Sequence, residues 1–180
     1  FFDDLGIGLM LESGEARVIN NLLFGGSCTH AMGLNVVLTR PGSAGPEASS
    51  NLIHGGGWAL GTYSTAVQLD SWMENLRQGK FLNNILVAGD APNRFGFVEG
   101  SAATHPAWFD HNDFVDATTA LYVGEGWTVG FYDLAEVNAL PGLNPAGTAG
   151  QNLTEDPLWW NEVEWDFRLG TDSPCIDRGT

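Results

Sequence analysis

The densest group of side chains able to bind or catalyse is Trp108-Phe109-Asp110-His111-Asn112-Asp113-Phe114-Val115-Asp116. Three carboxylates at a spacing of three, with an imidazole and an indole, are the groups that hold Ca²⁺ or grip and stack a sugar ring. Ca²⁺ sites usually have a glycine-turned loop of their own, which this stretch lacks. The simpler expectation is an outward strand turn whose acids keep the surface hydrated. Trp108, Asp110, His111, Asp113 and Asp116 therefore stand as candidate ligand-binding residues, with Ca²⁺ the one cofactor weighed. Elsewhere His30, His54 and His105 are isolated, and no Cys/His spacing points to zinc. The chain has no Gly-x-Ser-x-Gly, phosphate loop or dinucleotide fingerprint, so no residue is assigned a catalytic role.

These residues lie in one copy of a spaced pattern. ARVINNLLFGG, PEASSNLIHGG, GKFLNNILVAG and AWFDHNDFVDA align on Asn21, Asn51, Asn84 and Asn112, at spacings of 30, 33 and 28 residues. Three before the Asn stand Val18, Ala48, Phe81 and Phe109; two after it stand Leu23, Ile53, Leu86 and Phe114. Such spacing belongs to solenoids, in which aligned columns stack inside a coil. Asn tolerates the left-handed conformation of a sharp bend, and its amide can bond to the next Asn in a stack. The four Asn are thus expected to form a structural ladder at a corner, with the left-handed residue at the Asn itself.

A second column supports the coil. A small residue followed by apolar, any, apolar occurs at Gly8–Leu11, Gly33–Val36, Ala66–Leu69 and Ala120–Val123. Gly96-Phe97-Val98 is a fifth, degenerate copy with Glu99 in the last apolar place. Period-two alternation of this kind is a strand with one buried face. The connections lack two-residue hairpin signals, so the strands are expected to pair in parallel with their counterparts one turn away. Ser71-Trp72-Met73-Glu74 and Asp133-Leu-Ala-Glu136 read as helix N-termini, predicting short helices over 72–78 and 133–140.

Composition sets the outer limits. The 180 residues, 43% hydrophobic, suffice for one domain with a real core, and 24 Gly against 8 Pro suits a turn-rich β-protein. A net charge of −15, with Lys80 the sole lysine, excludes a phosphate-backbone grip and disfavours an anionic membrane surface. No run is apolar enough to span a bilayer. Lys80 falls in the column Arg17, Glu47, Lys80, Trp108, which reads as an outward ladder of alternating charge. Cys28 and Cys175 sit near opposite ends of the array; layers about 4.8 Å apart hold them about 20 Å from each other. A disulfide needs Cα atoms within about 7 Å, so both are expected free and buried. Trp159, Trp160 and Trp165 are expected to cover an end or side of the coil. Trp58, Trp72, Trp108 and Trp127 lie in or beside loops, as packing lids or sugar platforms.

The closing run resembles the last segment of secreted bacterial right-handed parallel β-helix proteins of the pectin-lyase-like superfamily. The matching pieces are Asp156-Pro157-Leu158-Trp159, Asp166-Phe167-Arg168-Leu169 and Ser173-Pro174-Cys175-Ile176-Asp177-Arg178-Gly179. The resemblance implies an all-β, right-handed parallel β-helix with short helical insertions in its loops. Residues 1–130 would be coils and 131–180 a closing segment, in one domain forming the C-terminal part of a longer chain. It also implies an extracellular or cell-surface location. The family includes polysaccharide lyases, glycosidases and surface proteins of no known activity. A lyase would need a Lys or Arg base, for which the Lys80 ladder is the simpler account. His54-Gly55-Gly56 partly matches the family's glycosidase stretch, but no Asp-Asp pair or Arg-x-Lys accompanies it. The leading expectation is a scaffold or binding module without catalysis, with a protein or polysaccharide partner. The alternative is a polysaccharide-active domain whose site continues into preceding coils.

Two surfaces carry further expectations. Phe1, Phe2, Ile7 and Leu9 would form an open first layer that meets other residues or another chain. The columns one and three after the Asn (Leu22, Leu52, Ile85, Asp113; Phe24, His54, Val87, Val115) would face outward as an apolar stripe, covered by the helices at 72–78 or 133–140.

Overall fold

A computed structural model describes residues 4–12, 14–57, 60–71, 76–102, 104–143 and 150–176. The chain is nearly all β and winds as a parallel solenoid. It runs through β1 (Leu5–Glu12), β2 (Arg17–Ile19), β3 (Leu22–Phe24) and β4 (His30–Leu38), then β5 (Glu47–Ser49), β6 (Leu52–His54) and β7 (Tyr63–Ser71). The next passage is β8 (Leu76–Arg77), β9 (Lys80–Leu82), β10 (Ile85–Val87) and β11 (Asn93–Glu99). After it come β12 (Thr104–His105), β13 (Trp108–Asp110), β14 (Asp113–Val115) and β15 (Ala120–Gly124). The long strands stack as β1-β4-β7-β11-β15. The two short strands of each passage stack as β2-β5-β9-β13 and β3-β6-β10-β14. Val18, Ala48, Phe81 and Phe109 are in register on one wall, and Leu23, Ile53, Leu86 and Phe114 on the next.

The corner between the short sheets is the Asn ladder. Asn51 and Asn84 each donate the backbone N–H and Nδ2 to Oδ1 of the next Asn at 3.0–3.2 Å. Their Nδ2 groups also reach the carbonyls of Val18 and Ala48 in the preceding coil. One feature corrects the expectation at this corner. The left-handed residue is the one before the ladder Asn: Asn20, Ser50, Asn83 and His111 have φ between 53° and 57°. That residue turns the chain, which leaves the ladder Asn free to aim its amide into the coil.

The small column has a different cause from simple alternation. A Cβ on Gly33 would lie 2.6 Å from Ile53 Cγ2, and one on Gly96 would lie 2.3 Å from Phe114 Cδ1. The long strand crosses the short sheet here, and only a small residue fits. The last copy sits one residue away from its expected register. Phe95 pairs with Ala120 and Phe97 with Tyr122, so Leu121 rather than Ala120 stands opposite Gly96. Tyr122 is drawn inward onto Phe97, their rings stacked 5.0 Å apart. The core thus passes from aliphatic in the early coils to aromatic in the late ones, with Phe81, Phe97, Phe109 and Tyr122 in mutual contact.

An inward Tyr hydroxyl needs an acceptor, and Glu99 supplies it from the apolar column. The buried carboxylate accepts from Tyr122 Oη, pairs with His105 Nδ1 at 2.9 Å and accepts from Glu125 N–H at 3.0 Å. Burial and the Glu99 charge push the Tyr122 phenol well above its usual range. The network ties the turn after β15 to the end of β11.

Beyond β15 the coil closes. β16 (Val129–Phe131) pairs antiparallel with β15, and Asp133 caps α1 (Leu134–Asn138) by accepting from Ala135 N–H at 2.6 Å. This helix fits the expectation for 133–140. The helix expected over 72–78 fares differently: Leu76 and Arg77 form β8, paired in parallel with β12, and 72–75 lie outside the described residues. The chain then crosses the outer face of the second short sheet as a hairpin, β17 (Trp159–Asn161) and β18 (Asp166–Leu169), joined by a 3₁₀ turn over Glu162–Glu164. Among the described residues no helix is long and apolar enough to cross a membrane.

Candidate functional site

The nine-residue run from Trp108 to Asp116 spans a strand, the ladder corner, a second strand and a turn, and this separates its acids. Asp110 ends β13. Its Oδ1 accepts from His111 N–H at 3.0 Å and Gln151 N–H at 2.6 Å, and its Oδ2 pairs with the His111 ring at 3.2 Å. Asp113 opens β14, accepting from Glu155 N–H at 2.9 Å and from the Cys175 thiol at 3.0 Å. Burial raises the Asp113 carboxyl above its usual range, partly offset by the Cys175 and Glu155 hydrogen bonds. Burial first, then the hydrogen bond and charge of Asp113, push the Cys175 thiol up to about 12. Two of the three candidate acids therefore clamp the closing segment onto the coil. The half-buried Trp108 stands in register with Lys80, and no group of three or more metal-ligating side chains forms among the described residues.

Asp116 is placed differently. It follows β14 at φ 56°, exposed, where the wall of short strands turns toward the long sheet. Two coils of this turn meet there. Gly89, at φ 97°, carries the chain so close to the coil below that an added Cβ would lie 2.1 Å from Gly56 O. The next residue, Asp90, is fixed by its N–H to Gly56 O at 2.8 Å. His54, Val87 and Val115 are in register on the wall below Asp116. Asp90, Asp116 and His54 thus share one recess of about 250 Å³, whose far side is Val163, Trp165 and Phe167 from the tail hairpin.

His54 is the buried member, 8% exposed. Its Nδ1 accepts the Gly56 N–H at 2.8 Å, which assigns the remaining proton to Nε2. Among the described residues Nε2 has no hydrogen-bond partner. Burial lowers the imidazole's pKa, against the opposing charges of Asp90 and Asp116, so the ring is neutral at neutral pH. Trp165 is held edge-on by Phe24 at 4.9 Å and Phe167 at 5.7 Å, yet stays 58% exposed.

The hairpin also settles the fate of the apolar stripe. Trp165 lies over Phe24 and His54, while Trp159, Phe167 and Leu169 face Leu22, Leu52 and Ile85 across a groove of about 710 Å³. The cover is the C-terminal hairpin, not the helix at 133–140, and Leu22 at the coil's first turn stays exposed. At the same end Leu5, Met10 and Ile19 are exposed and Ile7 and Leu9 half-buried; Phe1 and Phe2 lie outside the described residues. Trp127 packs edge-on against Tyr63 and Phe95. Cys28 and Cys175 are free, and half-buried rather than buried. Arg17 pairs with Glu47 at 3.1 Å, and Lys80 continues that column in register.

Sequence reading missed Asp90, Trp165 and Phe167 as companions of Asp116. The signal available was the register itself, which sets the residues following Val87 beside those following Val115. Trp165 carried no such signal, because its placement depends on a non-repeating tail. Searches of protein-family models, curated proteins and solved structures return no match to this chain.

Proposed function

We propose that this chain is a binding module of a secreted or surface-exposed β-helix protein of the pectin-lyase-like kind, and that it holds a polysaccharide without cleaving it. The Asn-centred coils and the Asp156–Trp159, Asp166–Leu169 and Ser173–Gly179 pieces support that kinship. The observation that carries the binding reading is the recess of His54, Asp90, Asp116 and Trp165. It offers an exposed indole for the apolar face of a sugar, two carboxylates to accept from hydroxyls, and an imidazole N–H to donate. All of them sit on or against rigid coil walls. Acid catalysis of glycoside cleavage calls for a carboxyl with a raised pKa facing the substrate. The carboxyl so raised beside the tail, Asp113, is committed to Cys175 and Glu155 instead.

A second reading, a polysaccharide-active domain, draws on the same two carboxylates on neighbouring coils. One experiment separates them. The chain is run in affinity gels cast with neutral, uronate-containing and amino-sugar polysaccharides, and the same mixtures are assayed for new reducing ends and for unsaturated products. Retardation by at least one polysaccharide, lost in Trp165→Ala, with no products, is the expected result. Product release would establish the second reading, and absence of retardation in every gel would end the first.

A further inference from the structure

We propose that the recess beside the tail hairpin recognises a cationic amino sugar, a glucosamine unit bearing a free ammonium group. The inference rests on the carbohydrate-binding reading and names its substrate class. The carboxylates facing the recess are those of Asp90 and Asp116, and no Lys or Arg is among its lining residues. A neutral sugar would leave both carboxylates without a counter-charge. A uronate would set its own carboxylate against them, which like-charge repulsion opposes. An ammonium group offers three donors and a positive charge, and charge-assisted bonds to carboxylate are the stronger kind.

The remaining lining chemistry fits the rest of such a ring. The Gly56 N–H, bonded to Nδ1, leaves the buried His54 presenting Nε2–H, a donor with no described partner, suited to a ring or hydroxyl oxygen. A charged imidazole there would repel the ligand; burial lowers its pKa and so favours the neutral ring. Trp165 supplies an apolar face and a π-system that attracts the ammonium-bearing ring. At about 250 Å³ the space is smaller than the range of about 300–1,000 Å³ typical of drug-sized ligands, and suits a single ring rather than an extended chain segment. Val163, almost wholly exposed at the rim, leaves the recess open for the chain to pass on either side.

The test is calorimetric titration of the full chain with two oligosaccharides of equal length, oligoglucosamine and its fully N-acetylated counterpart, at pH 5.5 and low salt. Oligoglucosamine is expected to bind about tenfold or more tightly than the acetylated form, with a preference that shrinks as salt is added. Asp90→Asn and Asp116→Asn should each weaken oligoglucosamine about fivefold and the acetylated oligomer by clearly less, so that the preference between the two narrows. Asn accepts the left-handed backbone at 116, so Asp116→Asn retains the fold, checked by circular dichroism. Equal binding of the two oligomers, sensitive to Trp165→Ala, would overturn the amino-sugar inference and leave carbohydrate binding standing. Failure of both oligomers to bind, with a different polysaccharide retained in the gels, would overturn it too. Failure of every sugar would remove both.

Discussion

The two ends of the asparagine ladder are built from the same side chain and finish in opposite ways. At the C-terminal end the ladder outlives the repeat. Asn112 donates to Asn152 at 3.0 and 3.2 Å, and Asn152 donates to Asn138 at 2.9 and 3.0 Å. Neither Asn152 nor Asn138 belongs to a coil of the pattern; one comes from the closing segment and the other from α1. At the N-terminal end Asn21 donates its N–H and Nδ2 to Asn51 Oδ1 and its Nδ2 also to Ile19 O of its own coil, and among the described residues its Oδ1 accepts nothing. The difference shows where the ladder's strength comes from. A rung stabilises when its acceptor and donor are both out of water and both used, which holds for Asn51, Asn84, Asn112 and Asn152, all buried. Asn21 is exposed, so water can reach its Oδ1.

That contrast can be broken most decisively at Asn84. Asn84→Leu leaves Asn51 N–H inside the coil without its acceptor and takes one bond each from Asn51 Nδ2, Ala48 O and Asn112 Oδ1, of which Asn51 Nδ2 keeps Val18 O and Asn112 Oδ1 keeps the backbone N–H of residue 84. At about 1–3 kcal/mol for a buried group left without a partner, the loss should be about 2–3 kcal/mol, read from the urea midpoint. A loss below about 1 kcal/mol would mean the ladder is ornamental.

The two cysteines sharpen the same comparison on a second scale. Cys28 is raised by burial and by Asp4, and Cys175 is pushed up to about 12 by burial and its bond to Asp113. Because the thiolate is the reactive form, native labelling with iodoacetamide at pH 8 should modify Cys28 about tenfold faster than Cys175. Asp113→Asn removes the charge that holds the Cys175 proton, so it should narrow the gap. Equal rates in the unmodified chain would show that the closing segment does not hold Cys175 against the coil.

The smallest effect is expected at Asn21. Asn21→Leu removes one exposed rung and should cost about 1 kcal/mol or less, again from the urea midpoint. A cost matching that of Asn84→Leu would mean that Asn21 is engaged in solution by something beyond the described residues.

What could be read from the chain beforehand follows from repetition. The three columns around the Asn recur because each coil meets the same neighbours above and below, so residue types repeat wherever contacts repeat. Asp133's cap was legible for a related reason: it depends on residues within a few positions. The left-handed corner was misplaced by one residue because the Asn column carries two demands, a turn and an inward amide. The structure divides them between neighbours. The slip at Ala120 arose where an aromatic stack outweighed the small-residue pattern: Tyr122 gains more by lying on Phe97 and bonding to Glu99 than register by composition alone would indicate.

By itself, then, the sequence determined the parallel solenoid, its core columns and its Asn corner, since those rest on a period that local residue types enforce. Only the tertiary structure decided what covers the outer wall and where side chains able to bind a ligand converge. His54, Asp90 and Asp116 are drawn together by coil stacking, and Trp165 by a tail that crosses back over 100 residues of chain to reach Phe24. The tail's position is set by non-repeating contacts between distant segments, such as Cys175 with Asp113 and Gln151 with Asp110. No periodicity encodes such contacts, because each is made once.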